Sequence, residues 1–188
     1  MGFNVSGFAI DKNYIEEVKE LQSHLKCHLD FEQEVLFETA SENWKEKKIS
    51  DIFFSERGTI VFTDMDTKLH FHGIEGRKSM AFYISDGSET YAFTYFDGTE
   101  PVRTVKEVEL KRTSRGEKLP SEEKAKMKDV IWAQMESIIG RNFWGIEPKE
   151  RAYRYKISFK PKNPDEDPMK YDPKPVEDIE VKPWWKFW

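Results

Sequence analysis

The dipeptide Asp86-Gly87 stands between two runs of alternating polarity, Ser79 to Ser85 and Glu89 to Phe96. Asp-Gly in that setting is a strong short-range hairpin signal, because tight hairpin turns need positive φ and both residues tolerate it. A two-residue loop here pairs Ser85 with Ser88, and therefore Phe82 with Tyr91 and Met80 with Phe93. Opposed residues share a face of the sheet. Met80, Phe82, Ile84, Tyr91, Phe93 and Tyr95 are thus expected to form one aromatic surface in the core. Ala81, Tyr83, Thr90, Ala92, Thr94 and Phe96 point the other way.

Further strands are expected on both sides of this hairpin. Ile52 to Phe54 and Thr59 to Thr63 flank a Glu56-Arg57-Gly58 turn, and "KLHFHG" (68–73) alternates polar and apolar residues. Asp97-Gly98 leads through Pro101 into Val102 to Leu110, Ala152 to Phe159 supplies a last strand, and Glu34 to Ala40 reads as another. No crossover helix interrupts the middle of the chain. The expected class is α+β, with a single antiparallel β-meander sheet of about five to six strands.

Two main helices pack this sheet. The first, about 12–29, starts where Asn13 and Glu16 have capping-box spacing and buries a stripe through Tyr14, Ile15, Val18, Leu21, Gln22, Leu25 and Leu29. The second, about 121–139, has Ser121 as N-cap, glutamates in its first turn and Gly140 as its stop. Its main stripe is Met127, Val130, Ile131, Gln134 and Ile138, and Trp132, Met135 and Ile139 widen the apolar surface beyond a one-sided arc.

After Phe159 the composition changes. Pro161, Pro164, Pro168, Pro173, Pro175 and Pro183 punctuate an acidic stretch of little apolar content, which cannot build a core and is expected to be extended. The chain therefore divides into one α+β domain (1–159) and a C-terminal tail (160–188) ending in "KPWWKFW". Trp184, Trp185, Phe187 and Trp188 at that end suit two roles. They can fill an apolar groove of their own domain beside Trp132, Met135 and Ile139, or act as hot-spot anchors on another protein or a second copy. A membrane-interface role is disfavoured by the acidic run that precedes them.

The formal charge of −5, from 35 acidic against 30 basic residues, disfavours nucleic acid, whose binders gain affinity from a basic surface. It also argues against reading Tyr83, Tyr91, Phe93, Tyr95 and Phe96 as a base-stacking platform. Cys27 is the single cysteine, so no internal disulfide can form and a reducing, cytoplasmic setting fits. The N-terminal residues lack the pattern of a secretory leader, and no apolar run is long enough to span a membrane.

Asp64, Asp66, His70 and His72 recur at every second or fourth position, so a regular strand would project them from one face, opposite Leu69 and Phe71. Imidazole and carboxylate on one face are metal-site ingredients, but a hydrolytic site needs at least three placed ligands and only His70 and His72 have suitable spacing. His24, Cys27 and His28 do not converge on a regular helix, where Cys27 falls nearly opposite the apolar stripe. No nucleophile-elbow, Walker, dinucleotide-binding or HExxH signature occurs.

The leading expectation is a non-enzymatic cytoplasmic protein-binding or inhibitor module without a cofactor. Its partner is another protein or a second copy, and an acidic module suits neutralising a basic partner in the manner of an immunity protein. The alternative is a small-ligand- or metal-binding enzyme using the Asp64/Asp66/His70/His72 face.

Overall fold

Antiparallel pairing dominates the computed structural model, which describes residues 2–43, 45–67, 69, 71–124 and 126–159. Among these residues nine strands form one sheet: β1 (Asn4–Ile10), β2 (His28–Leu36), β3 (Ile49–Phe54), β4 (Thr59–Thr63), β5 (Lys78–Ser85), β6 (Thr90–Asp97), β7 (Glu100–Val108), β8 (Lys111–Gly116) and β9 (Arg151–Ser158). Their order is β2-β9-β3-β4-β1-β5-β6-β7-β8, and every neighbouring pair is antiparallel. The α+β class holds, with one antiparallel sheet and few helices. The sheet is wider than the expected five to six strands and is not a simple meander, since β1 inserts between β4 and β5 and β9 between β2 and β3.

Both faces are covered. One carries α3 (Met127–Ile139) and the single turn α2 (Phe37–Ala40) over a core that includes Phe53, Phe62, Met80, Phe82, Ile84 and Phe93. The other carries α1 (Val18–Leu25) and the loop after β4, which buries Leu69 and Ile74 against Phe8, Val61, Ala81 and Phe96. Strands buried on two faces lose polar alternation and read as apolar runs, as "IVF" in β4 does.

The central hairpin has the expected faces but a different register. Ser85 pairs with Thr90, Phe82 with Phe93 and Met80 with Tyr95, so the loop is Asp86 to Glu89 rather than Asp86-Gly87 alone. Asp86 organises this longer loop: its carboxylate accepts from the Phe3 N–H at 2.7 Å, the Tyr91 hydroxyl at 2.9 Å and the Lys128 ammonium at 2.8 Å. Because the pairing shifts by two residues, an even number, every side chain keeps its face. Met80, Phe82, Ile84, Phe93 and Tyr95 are buried and Tyr91 half-buried.

Both expected helices are shorter. Asn13 does not cap α1: its Oδ1 accepts from the Ile15 N–H, its amide donates to the Ser55 carbonyl, and the helix starts only at Val18. α1 ends where Lys26 turns left-handed, with φ of 51°. Cys27 therefore lies past the helix, half-buried, and helical phase does not apply to it. Ser121 is no N-cap either; it belongs to a 3-10 turn, Pro120–Glu123, and its hydroxyl donates to Gln134. That turn is held by Glu122, whose carboxylate takes two hydrogen bonds from Arg103 of β7 at 2.8 and 2.7 Å. Gly140 ends α3 as expected, at φ of 71°. The segment expected as a strand from Glu34 to Ala40 is strand only to Leu36 and then becomes α2.

Candidate functional site

Asp64, Asp66 and His72 do not sit on a strand. β4 ends at Thr63, and the described residues 64–67, 69 and 71–73 are loop and turn. Asp64 is buried and already engaged, accepting from the backbone N–H groups of Lys48, Asp66 and Thr67 and from the Thr67 hydroxyl. Its carboxylate folds the loop. Asp66 points to solvent, 3.8 Å from the equally exposed Lys47 ammonium. His72 is exposed, and His70 lies outside the described residues. Among the described residues no group of three His, Cys, Asp or Glu side chains is placed to hold a metal ion.

Trp132, Met135 and Ile139 are buried in the core under α3. Trp132 stacks on Phe143 with ring centroids 4.2 Å apart, and Phe3 and Trp144 meet it edge-on. Trp144, in the 3-10 turn Phe143–Gly145, leaves 59 % of its surface exposed. Trp184, Trp185, Phe187 and Trp188 lie outside the described residues. Of the other cluster considered, His24 approaches Glu20 at 3.4 Å, while burial pushes the Cys27 thiol up to about 11, far from a reactive thiolate.

The most distinctive charged site was not singled out in the sequence. Asp51, in the middle of β3 and 0 % exposed, faces the α3 side of the sheet. Arg154 of β9 lies directly across from it and donates two hydrogen bonds, at 2.8 and 2.9 Å; the Lys45 ammonium donates a third at 2.7 Å. The hydrogen bonds to Asp51 hold the Arg154 guanidinium above its ordinary value. Lys45 moves the opposite way, because burial outweighs the attraction of Asp51 and Arg154 repels its charge. Two cations thus surround one enclosed carboxylate, and the hydrogen-bonding capacity of Asp51 is occupied.

Above this triad opens a cavity of about 300 Å³, lined by Glu32, Gln33, Thr39, Glu42, Asn43, Lys45, Glu46, Ile49 and Arg154. Its rim continues onto β2, the outermost strand on this side. β2 contains a bulge between Phe31 and Gln33. Before it Leu29 and Phe31 share the α1 face, and after it Gln33 and Val35 share the α3 face, so the bulge reverses the alternation and swings Glu32 outward. Asp30, Phe31, Glu32, Gln33, Glu34 and Leu36 are exposed, with Phe31 at 57 % and Leu36 at 46 %. Glu38, Glu42 and Glu46 extend the acidic strip along the rim. Cations behind it compensate in part: Arg151 lies 3.7 Å from Glu34, and Lys156 sits opposite Asp30.

Among the described residues this is an open sheet edge, with carboxylates beside two exposed apolar side chains and a polar hollow. It can pair backbone to backbone, attract a cationic surface and bury a ring or aliphatic side chain. Its most buried carboxylate is committed to two cations, and Lys45, the buried amine, to that carboxylate. No protein-family model, curated protein or solved structure matches this chain.

Proposed function

We propose that this chain is a non-enzymatic protein-binding or inhibitor module, whose acidic β2 edge docks against a basic surface of a protein partner. The observation that carries this reading is the edge itself: an outermost strand whose exposed side chains are Asp30, Glu32 and Glu34 around Phe31, beside the Glu-rimmed hollow. Opposite charge steers and orients the partner, and the desolvated Phe31 and Leu36 anchor it. Neutralising a basic toxin is one role such a module suits. A reducing cytoplasmic setting is supported by the single half-buried thiol of Cys27.

A second contact comes from the tail in trans. Trp132 is already covered by Phe3, Phe143 and Trp144, which supports Trp184, Trp185, Phe187 and Trp188 as anchors on the partner rather than on their own domain.

Affinity capture from native cells, followed by binding kinetics with the purified partner, tests the edge. The expected partner is basic, and its association rate falls about tenfold or more between low and high salt. A triple variant, Asp30→Lys, Glu32→Lys, Glu34→Lys, loses that binding. Wild-type affinity in the triple variant would refute the role of the edge.

A further inference from the structure

The sheet has two outermost strands, and they carry opposite charge. β2 exposes Asp30, Glu32 and Glu34, whereas all of β8 is exposed and carries Lys111, Arg112 and Arg115. Among the described residues neither strand has a partner on its outer side. β8 is joined to β7 by a two-residue turn, Glu109-Leu110, with both residues at positive φ (48° and 66°) and Val108 opposite Lys111. In such a hairpin Lys111, Thr113 and Arg115 bond inward to β7, which leaves the backbone groups of Arg112 and Ser114 directed outward, while the Gly116 carbonyl accepts from Arg103 at 2.6 Å.

β9 places Arg151, Arg154 and Lys156 behind the acids of β2, and β7 sets Glu107 opposite Arg112 of β8 on a strand of mixed charge that also carries Arg103 and Lys106. Arg112 contacts Glu107 at 2.8 Å, and Arg151 approaches Glu34 at 3.7 Å. Pairing β2 with a second β2 would set acid against acid, and pairing β8 with β8 would set base against base; like charges directly opposed are destabilising. Of these pairings only β2 against β8 sets opposite charges across the joint.

We propose that this chain associates with itself head to tail, the β8 edge of one copy adding antiparallel to the β2 edge of the next. The occupant of each edge is therefore a second copy of this chain. Such a contact is heterologous, so copies add in rows instead of closing as a two-fold dimer. One strand pair is a small interface, which makes the association weak, reversible and salt-sensitive. The inference shares the β2 edge with the proposed function, and self-association then covers that edge until a larger basic surface displaces it.

Sedimentation velocity of the full chain tests this without any partner. The weight-average sedimentation coefficient rises with protein concentration at roughly 0.02 M ionic strength and returns to the monomer value at roughly 0.5 M. The variant K111E/R112E/R115E stays monomeric in low salt, as does D30K/E32K/E34K, and mixing the two restores association because the reversed edges are again complementary. Should charge reversal disturb folding, the neutral K111Q/R112Q/R115Q variant still weakens association about tenfold.

A wild-type chain that remains monomeric under all these conditions overturns the proposal, as does a mixture of well-folded variants that fails to associate. Amide hydrogen exchange on the dilute monomer adds one more outcome. Protection of the outward amides of β2 or β8 in that state would assign the edge to residues 160–188 of the same chain and overturn the proposal. The two readings fail separately: loss of self-association with retained partner binding removes only this inference, and self-association without any basic partner removes only the proposed function.

Discussion

At the scale of single residues, the buried charges distinguish scaffold from surface. Asp51 is enclosed with Lys45 and Arg154, so Asp51→Asn leaves two cations facing a neutral amide in a desolvated site. The expected cost is about 3 kcal/mol in urea unfolding, whereas Glu42→Gln on the exposed rim changes stability by no more than about 0.5 kcal/mol. Glu122 supports a pH prediction. Burial alone would raise its pKa, but hydrogen bonds from Arg103 and the Leu119 N–H outweigh this and hold it below the ordinary value. A carboxylate lowered in the folded state stabilises the fold above its unfolded pKa and loses that contribution as the pH falls through the folded value. Asp86 behaves alike, with burial opposed by Lys128, the Phe3 N–H and Tyr91. Stability is therefore expected to be level above about pH 4.5 and to drop in acid. Glu122→Gln is less stable at neutral pH and has a shallower acid limb. Equal acid slopes for variant and wild type would show that the Arg103–Glu122 pair contributes nothing to it.

At the scale of elements, turns and helix ends interlock. The Ser55 hydroxyl between β3 and β4 donates to the last carbonyl of α3, at Ile139, and Gly58 beside it fits where a Cβ would lie 2.7 Å from both the Ile10 carbonyl oxygen and the Ile139 Cα. Both obstacles are backbone. Gly58→Ala is expected to lower stability by about 2 kcal/mol, read as a depressed thermal midpoint. This scale also shows which features were legible in sequence. The central hairpin was readable because its strands keep their faces even though Ser88 and Glu89 join the loop. β1 escaped because Val5, Phe8, Ala9 and Ile10 are buried on both faces, which erases alternation. The first part of β2, before Glu34, escaped because the bulge after Phe31 reverses its phase and its exposed acids resemble loop. β8 was hidden by its polarity and by a turn built from Glu109-Leu110 without glycine. The strand expected from Asp64 onward does not begin at Asp64 to Thr67, because Asp64 bonds the N–H groups of Asp66 and Thr67 in place of a β-partner.

At the scale of the whole molecule, the site depends on strand order, which local pattern does not specify. Each acidic residue of β2 is visible in the sequence, but their meeting on an outermost strand follows from β9, the last strand among the described residues, entering between β2 and β3. The same topology separates two oppositely charged edges across the sheet, a separation that the net charge of −5 conceals. In the proposed function the tail is a partner contact. Ending the chain after Phe159 is therefore expected to leave the urea midpoint of the domain unchanged, to within about 0.5 kcal/mol, while weakening capture of a partner. A large loss of stability would instead make the tail part of the domain. The most direct measurement of the central claim is amide hydrogen exchange with and without the captured basic partner. New protection is expected to concentrate in β2, from His28 to Leu36, and along the rim through Glu46. Protection on other elements, with β2 exchanging as in the free protein, would contradict it.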